Sequence, residues 1–306
     1  MRPLRGIALK LASVIVFIVM ASLIKSTAAH VPAGQAVFFR SLFALPVIFV
    51  WLAWRSELGT GLKTANPMGH VWRGVVGTLA MGLGFAGLGY LPLPEVTAIG
   101  YAAPLLTVVF AAMFLGEEVR AFRISAVILG MVGVLIVLAP RLSVDPKTAN
   151  VAEALGAMLV LGGAVFAALA QVFVRKLVNT ERTSAIVFWF SVTATVLSLV
   201  TLPFGWVWPT PGESAILVGA GLLGGLGQIL LTSSYREADA SVVAPFDYAS
   251  MIFALGIGYF VFAEVPTWPM LGGAALIVIA GIIIILRERQ LGLERARQRK
   301  AMTPQG

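Results

Sequence analysis

The sequence predicts an all-α integral membrane protein with ten transmembrane helices, laid out as two inverted-topology repeats of five. Three observations carry that expectation: long uncharged apolar blocks, a bias of Lys and Arg toward alternate connections, and a sequence that repeats itself at an offset near 150 residues. The 306 residues are 59% hydrophobic and 12% charged, about half the charge of an ordinary soluble domain. Mean hydropathy is +0.94. Runs such as GIIIIL near the C-terminus are apolar on every side, which argues against a barrel with alternating faces.

Ten apolar segments follow one another along the chain: 4–25, 34–54, 72–90, 94–115, 120–139, 153–175, 183–203, 213–234, 240–263 and 267–286. A helix of about 20 such residues crosses a hydrocarbon core of roughly 30 Å. The first segment follows a short basic start and has the look of a signal peptide, but the repeat requires it as a retained helix. The second carries Arg40. The third is rich in Gly. The fourth opens with Glu95 and contains Tyr101 and Pro104, and the sixth holds Gln171. Phe188 and Trp189 lie in the seventh, Gln228 in the eighth, and Pro245, Asp247 and Tyr248 in the ninth. The expected organisation is a first half over 1–140, an outer linker over 141–152, a second half over 153–286 and a basic cytoplasmic tail over 287–306.

Charge placement sets the expected orientation. With the N-terminus inside, 18 of the 22 Lys and Arg residues fall in inside regions, Arg73 among them, and 3 fall outside. Arg40 is the remaining one, within a span. This bias puts both termini in the cytoplasm, and the short, economical loops suit a bacterial inner membrane. The net charge of +8 does not point to nucleic acid, because the cations sit at the ends of apolar blocks rather than along one face.

The repeat is legible in particular words. VFFRSLF (37–43) returns as VFWFSVT (187–193), with Phe190 where the first copy has Arg40. YAAPLLTVVFAAMFLGE (101–117) returns as YASMIFALGIGYFVFAE (248–264), so Tyr101 matches Tyr248 and Glu117 matches Glu264. Each half has five helices, an odd number, so the second half enters from the other side. Position 190 is therefore expected near the face opposite Arg40.

Ten helices in two fives, an arginine early in the second helix, and apolar helices ending Leu115-Gly116-Glu117 and Phe262-Ala263-Glu264 resemble the EamA-like drug/metabolite transporters. Ala263 departs from the Gly of the first copy. Nearly the whole chain is covered, and the resemblance is nearest to the aromatic amino-acid exporter branch. It implies transport of small metabolites, often outward, with amino acids among the cargoes.

The candidate substrate-binding residues are Tyr101, Tyr248, Trp189, Phe188, Phe39, Gln171 and Arg40. The aromatics offer apolar surface. Arg40 is a carboxylate hook, a gate paired with Glu95, or a snorkelled structural cation. Asp247 is a proton-coupling group or a binder of a substrate amine, against a plain capping role. Pro104 and Pro245 are the expected hinges. No cofactor or metal is expected: His30 and His70 both fall in loops, cysteine is absent, and no G-x-x-x-x-G-K-[ST] phosphate loop occurs. The expected partners are a small-molecule substrate and the lipid bilayer, with the chain a monomer or homodimer. Export of aromatic or apolar amino acids by alternating access is the leading expectation. Sugar phosphates or nucleotide sugars, an intramembrane lipid-modifying enzyme and a non-transporting membrane partner are the rivals.

Overall fold

The computed structural model describes residues 3–115, 121–141, 150–178, 180–237 and 244–302. Among the described residues the regular structure is helical throughout. The helices are α1 (Pro3–Thr27), α2 (Ala33–Leu42), α3 (Ala44–Trp54), α4 (Pro67–Leu88), α5 (Leu93–Gly100), α6 (Ala102–Leu115), α7 (Ala121–Leu138), α8 (Val151–Leu177), α9 (Thr183–Ser198), α10 (Pro211–Glu237), α11 (Ala249–Phe262) and α12 (Trp268–Met302). Short 3-10 turns follow α9 at Leu199–Thr201 and precede α11 at Ala244–Tyr248.

Among the described residues, seven stretches are long and apolar enough to cross a membrane: Leu4–Thr27, Ala33–Trp54, Pro67–Leu88, Leu93–Phe110, Val151–Val174, Thr183–Thr201 and Pro211–Ser234. Three shorter apolar helical stretches accompany them, Ile124–Leu138, Phe246–Phe262 and Trp268–Ile283. Large apolar side chains such as Val200, Ile252 and Phe260 face outward, as a lipid-facing surface requires. The final helix continues past the last apolar segment into the basic stretch as far as Met302.

Local chemistry explains where helices start and break. Asn66 caps α4 by accepting from Gly69 N at 2.9 Å, and Pro67 follows at the first helical position. Thr210 and Glu213 form a reciprocal capping box at the start of α10, with Thr210 N donating to Glu213 Oε2 at 2.8 Å and Glu213 N to Thr210 Oγ1 at 3.2 Å. The second and fourth apolar segments are interrupted at Phe43 and Tyr101. Pro104 sits in the first turn of α6, where its missing N–H has no helical acceptor to lose. Pro245 lies in the 3-10 turn that leads to Tyr248 and α11. Tyr101 and Tyr248 hold nearly the same backbone angles, φ −67° ψ −6° and φ −68° ψ −15°.

The principal packings set α1 on α10, α4 on α8 and α7 on α12, with α9 against α2 and α3 and α5 against α11. Glycines let backbones close in. A Cβ on Gly273 would stand 2.6 Å from Gly133 O, and one on Gly133 would stand 2.8 Å from Gly273 O. One apolar core, with Leu105, Val134 and Ile277, surrounds the two tyrosines. A second, with Ile24, Val37 and Leu217, joins α1, α2 and α10.

Candidate functional site

Phe190 is the eighth of the sixteen residues of α9, so its ring lies midway along that helix. Two guanidiniums face it. The Arg40 Cζ lies 5.6 Å from the ring centroid and the Arg73 Cζ 4.1 Å. Arg40 comes from α2 and Arg73 from α4, and they are only 3% and 7% exposed. Arg40 Nη2 makes one long bond to Gly224 O at 3.5 Å, while Nε and Nη1 of Arg40 and Nε and Nη1 of Arg73 have no hydrogen-bond partner. The neighbouring Ser41 hydroxyl is buried and unpartnered as well. A cation–π contact returns about 0.5–2 kcal/mol. Leaving a buried ion without a counter-charge costs on the order of several kcal/mol, so the ring alone does not balance either arginine.

Two glycines make the room. A Cβ on Gly224 of α10 would stand 2.8 Å from Arg40 Nε, and one on Gly77 of α4 would stand 2.2 Å from Arg73 Nη1 and 2.8 Å from the Phe190 ring.

This arrangement corrects four expectations. Arg40 is not paired with Glu95: Arg141 takes that carboxylate, through Nε at 2.9 Å and Nη2 at 2.5 Å, and also bonds Glu153. Phe190 does not lie at the opposite face from Arg40 but against it: the guanidinium, from the last turn of α2, reaches the ring midway along α9. Arg73 is a buried helical residue, not part of an inside connection. His70 likewise lies in the first turn of α4, buried, rather than in a loop. The Asn-Pro pair at 66–67 is the sequence signal that places the start of α4 early enough to bury Arg73.

The tyrosines meet each other. Tyr101 and Tyr248 are edge-to-face at 5.1 Å, both buried, and the Tyr101 hydroxyl lies 2.5 Å from Ser250 Oγ. Their contacts share no residue with those of Arg40, so the structure gathers the proposed binding residues into more than one place. Phe188 packs on Phe49 and Trp189, and Trp189 Nε1 donates to Leu62 O at 3.1 Å, a tie to the α3–α4 connection. Phe39 stacks on Phe43 at the α2–α3 break. Gln171 is exposed and Gln228 half-buried. Glu117 lies outside the described residues.

Ion pairs tie both ends of the bundle. At one end of α1, Lys25 Nζ holds Glu264 Oε1 at 2.9 Å and donates to Leu91 O at 2.6 Å, while Leu93 N donates to Glu264 Oε2 at 2.8 Å. At the other end, Lys10 Nζ meets Asp247 Oδ1 at 2.7 Å. Nearby connections are stapled by Glu181, whose Oε1 accepts from Thr64 Oγ1, Ala65 N and Asn66 N at 2.8–2.9 Å. His70 Nε2 stands 3.6 Å from Oε2 of the same carboxylate, beyond hydrogen-bond range. Burial pushes the Glu181 carboxyl upward, but the hydrogen bonds donated by Thr64, Ala65 and Asn66, with the nearby His70 adding to them, outweigh it and hold it below the ordinary carboxylate range.

A helical bundle with an apolar exterior and buried, unpaired cations defines a polytopic integral membrane protein. The comparisons with known proteins then place it: residues 4–139 and 154–287 each match the model of the EamA-like transporter family. The chain belongs to that family, whose relatives here are bacterial membrane transporters of small metabolites. It is 30% identical over 283 residues to the pseudopaline exporter CntI of Pseudomonas aeruginosa, covering 91% of this chain and 95% of that protein. It is 29% identical to the S-adenosylmethionine uptake transporter of Rickettsia bellii, over 84% of both chains. The riboflavin transporter of Rhizobium johnstonii is also 29% identical, over 84% of this chain and 82% of that one. A solved crystal structure with a TM-score of 0.66, at 19% identity over 94% of this chain and 98% of the other, shares the fold.

Proposed function

We propose that the chain is a secondary exporter of small amphipathic metabolites, aromatic or apolar amino acids first, working by alternating access of two inverted five-helix halves. The observation that carries this reading is Arg40, a buried cation with two unpartnered nitrogens in a transporter-family chain, placed to receive a carboxylate. Two further features support the two-half arrangement. The family model matches the chain in two stretches. The pairing of α1 with α10 and of α4 with α8 is what a two-fold relation between the halves requires. Ten spans, with both termini cytoplasmic in a bacterial inner membrane, complete the reading.

In this mechanism the helix breaks at Tyr101 and Tyr248, beside Pro104 and Pro245, are hinges. The Lys25–Glu264 and Arg141–Glu95–Glu153 clusters close one end of the pathway. The Lys10–Asp247 pair closes the other, and protonation of Asp247 would release it, which is the form proton coupling takes here. With no phosphate-loop motif in the sequence, the energy comes from a gradient or from exchange.

The relatives favour a second reading. They are named for pseudopaline, S-adenosylmethionine and riboflavin, so another metabolite class is the alternative to the aromatic amino-acid exporter branch. Flux in proteoliposomes tests both. Purified protein is offered labelled aromatic and aliphatic amino acids, S-adenosylmethionine and riboflavin, with and without a pH gradient. Saturable amino-acid flux, cut at least tenfold by Arg40→Met, is the expected result. Flux of the other compounds alone supports the second reading, and silence from folded protein across the panel overturns both.

A further inference from the structure

We propose that Arg40 and Arg73 form a single anion-binding site at the middle of the bundle, and that the group it receives is the acidic moiety of the cargo. Both guanidiniums face one ring, and their distances from its centroid cap their separation at about 9.7 Å, the sum of the two. Within that cap, a carboxylate or phosphate bridging the two guanidiniums would offer one oxygen to each. Each arginine is more than nine-tenths buried. Neither takes part in an ion pair among the described residues. Four of their nitrogens and the adjacent Ser41 hydroxyl lack partners.

Two like charges held this close in a dry interior repel one another. A structural role would supply a carboxylate, as the chain does for Lys25, Lys10 and Arg141. Here it supplies a ring, which cannot neutralise them, and glycines that leave the guanidiniums space. The missing counter-charge is therefore a ligand. Planar guanidiniums bind carboxylate and phosphate with two parallel hydrogen bonds each, so the chemistry is a mono- or dianion of that kind. Identifying this anion as the cargo rests on the transport reading; the site itself does not.

The test is thermal unfolding of the purified full chain at constant ionic strength. The probes are succinate, phenylsuccinate and inorganic phosphate, with each dicarboxylate matched by its neutral diamide. The acids are expected to raise Tm saturably and the diamides not, since a ligand that binds only the folded state stabilises it. Arg40→Met and Arg73→Met should each raise the half-saturating concentration at least about tenfold. Without ligand, neither variant should melt below the parent, because each removes an unpaired buried charge. If Arg73→Met does not fold, Arg73→Lys, which keeps the charge and loses the fork, should weaken the shift without abolishing it. A shift from dicarboxylates alone assigns a carboxylate cargo, and one from phosphate alone assigns a phosphate. Equal shifts from acids and diamides, or wild-type saturation in Arg73→Met, overturn the proposal. Anion-dependent shifts without flux would leave the site standing and sink the transport reading. Flux of neutral amino acids without any anion shift would do the reverse.

Discussion

Glu181 shows how much one carboxylate can do when it accepts three hydrogen bonds through a single oxygen. It joins the α3–α4 connection to the α8–α9 connection, fixing the entry of α4 and with it the height of Arg73. Its pKa is lowered in the folded protein. The stabilisation is therefore complete above the ordinary carboxylate value of about 4.5 and is lost as pH falls through the lower folded value. Glu181→Gln should cost about 1–3 kcal/mol at neutral pH. Its melting curve should also show less acid destabilisation below pH 4.5 than the parent's; parallel acid limbs would sink this account. The sequence did not announce this residue, because a lone glutamate between two apolar segments looks like any solvated loop charge. Arg40 was legible as an outlier in an apolar run. Arg73 was not, since its burial depends on the six residues of helix before it and on what packs there.

Helix contacts are decided by which glycines face a backbone. Gly273 of α12 lies against Gly133 of α7, and an added Cβ would meet a main-chain oxygen that cannot turn aside. Gly273→Ala should therefore separate the pair and destabilise by about 1–3 kcal/mol. Gly256→Ala in α11, where a Cβ meets nothing within 4 Å, should be neutral or stabilising by up to about 1 kcal/mol. Melting temperatures in one detergent check the contrast, and equal losses would refute it. The apolar segments were visible as elements, though their breaks at Phe43, Tyr101 and Tyr248 were not, beyond the proline signals beside the two tyrosines. Ala263 is a departure that the sequence showed and the structure explains in part. It takes the left-handed φ of 54° that favours Gly, ending α11 where Glu264 can turn to Lys25.

Across the whole molecule, the repeat predicted pairs of matched positions but not that they would touch. Arg40 meets Phe190 and Tyr101 meets Tyr248, contacts that the proposed two-fold relation between the halves would give to residues near its axis. Opening at the Lys25 end can be followed directly, because the chain contains no cysteine and one introduced thiol reports alone. Ser41→Cys, fully buried beside Arg40, should react slowly with an impermeant maleimide. Adding Glu264→Gln should speed labelling about tenfold, the effect of roughly 1.4 kcal/mol of lost closure. An unchanged rate would mean that the Lys25–Glu264 pair does not hold the path shut.

Both unpaired guanidiniums belong to α2 and α4, so any rearrangement that carries those helices along the membrane normal carries two positive charges with it. The membrane voltage then acts on the protein itself, at about 2.3 kcal/mol per charge for a full crossing of 100 mV and in proportion for a partial one. A dianion seated between the arginines would cancel that coupling, and a single carboxylate would halve it. The empty protein would feel the cell's electrical potential in full, and the loaded one less, in proportion to the charge its cargo brings.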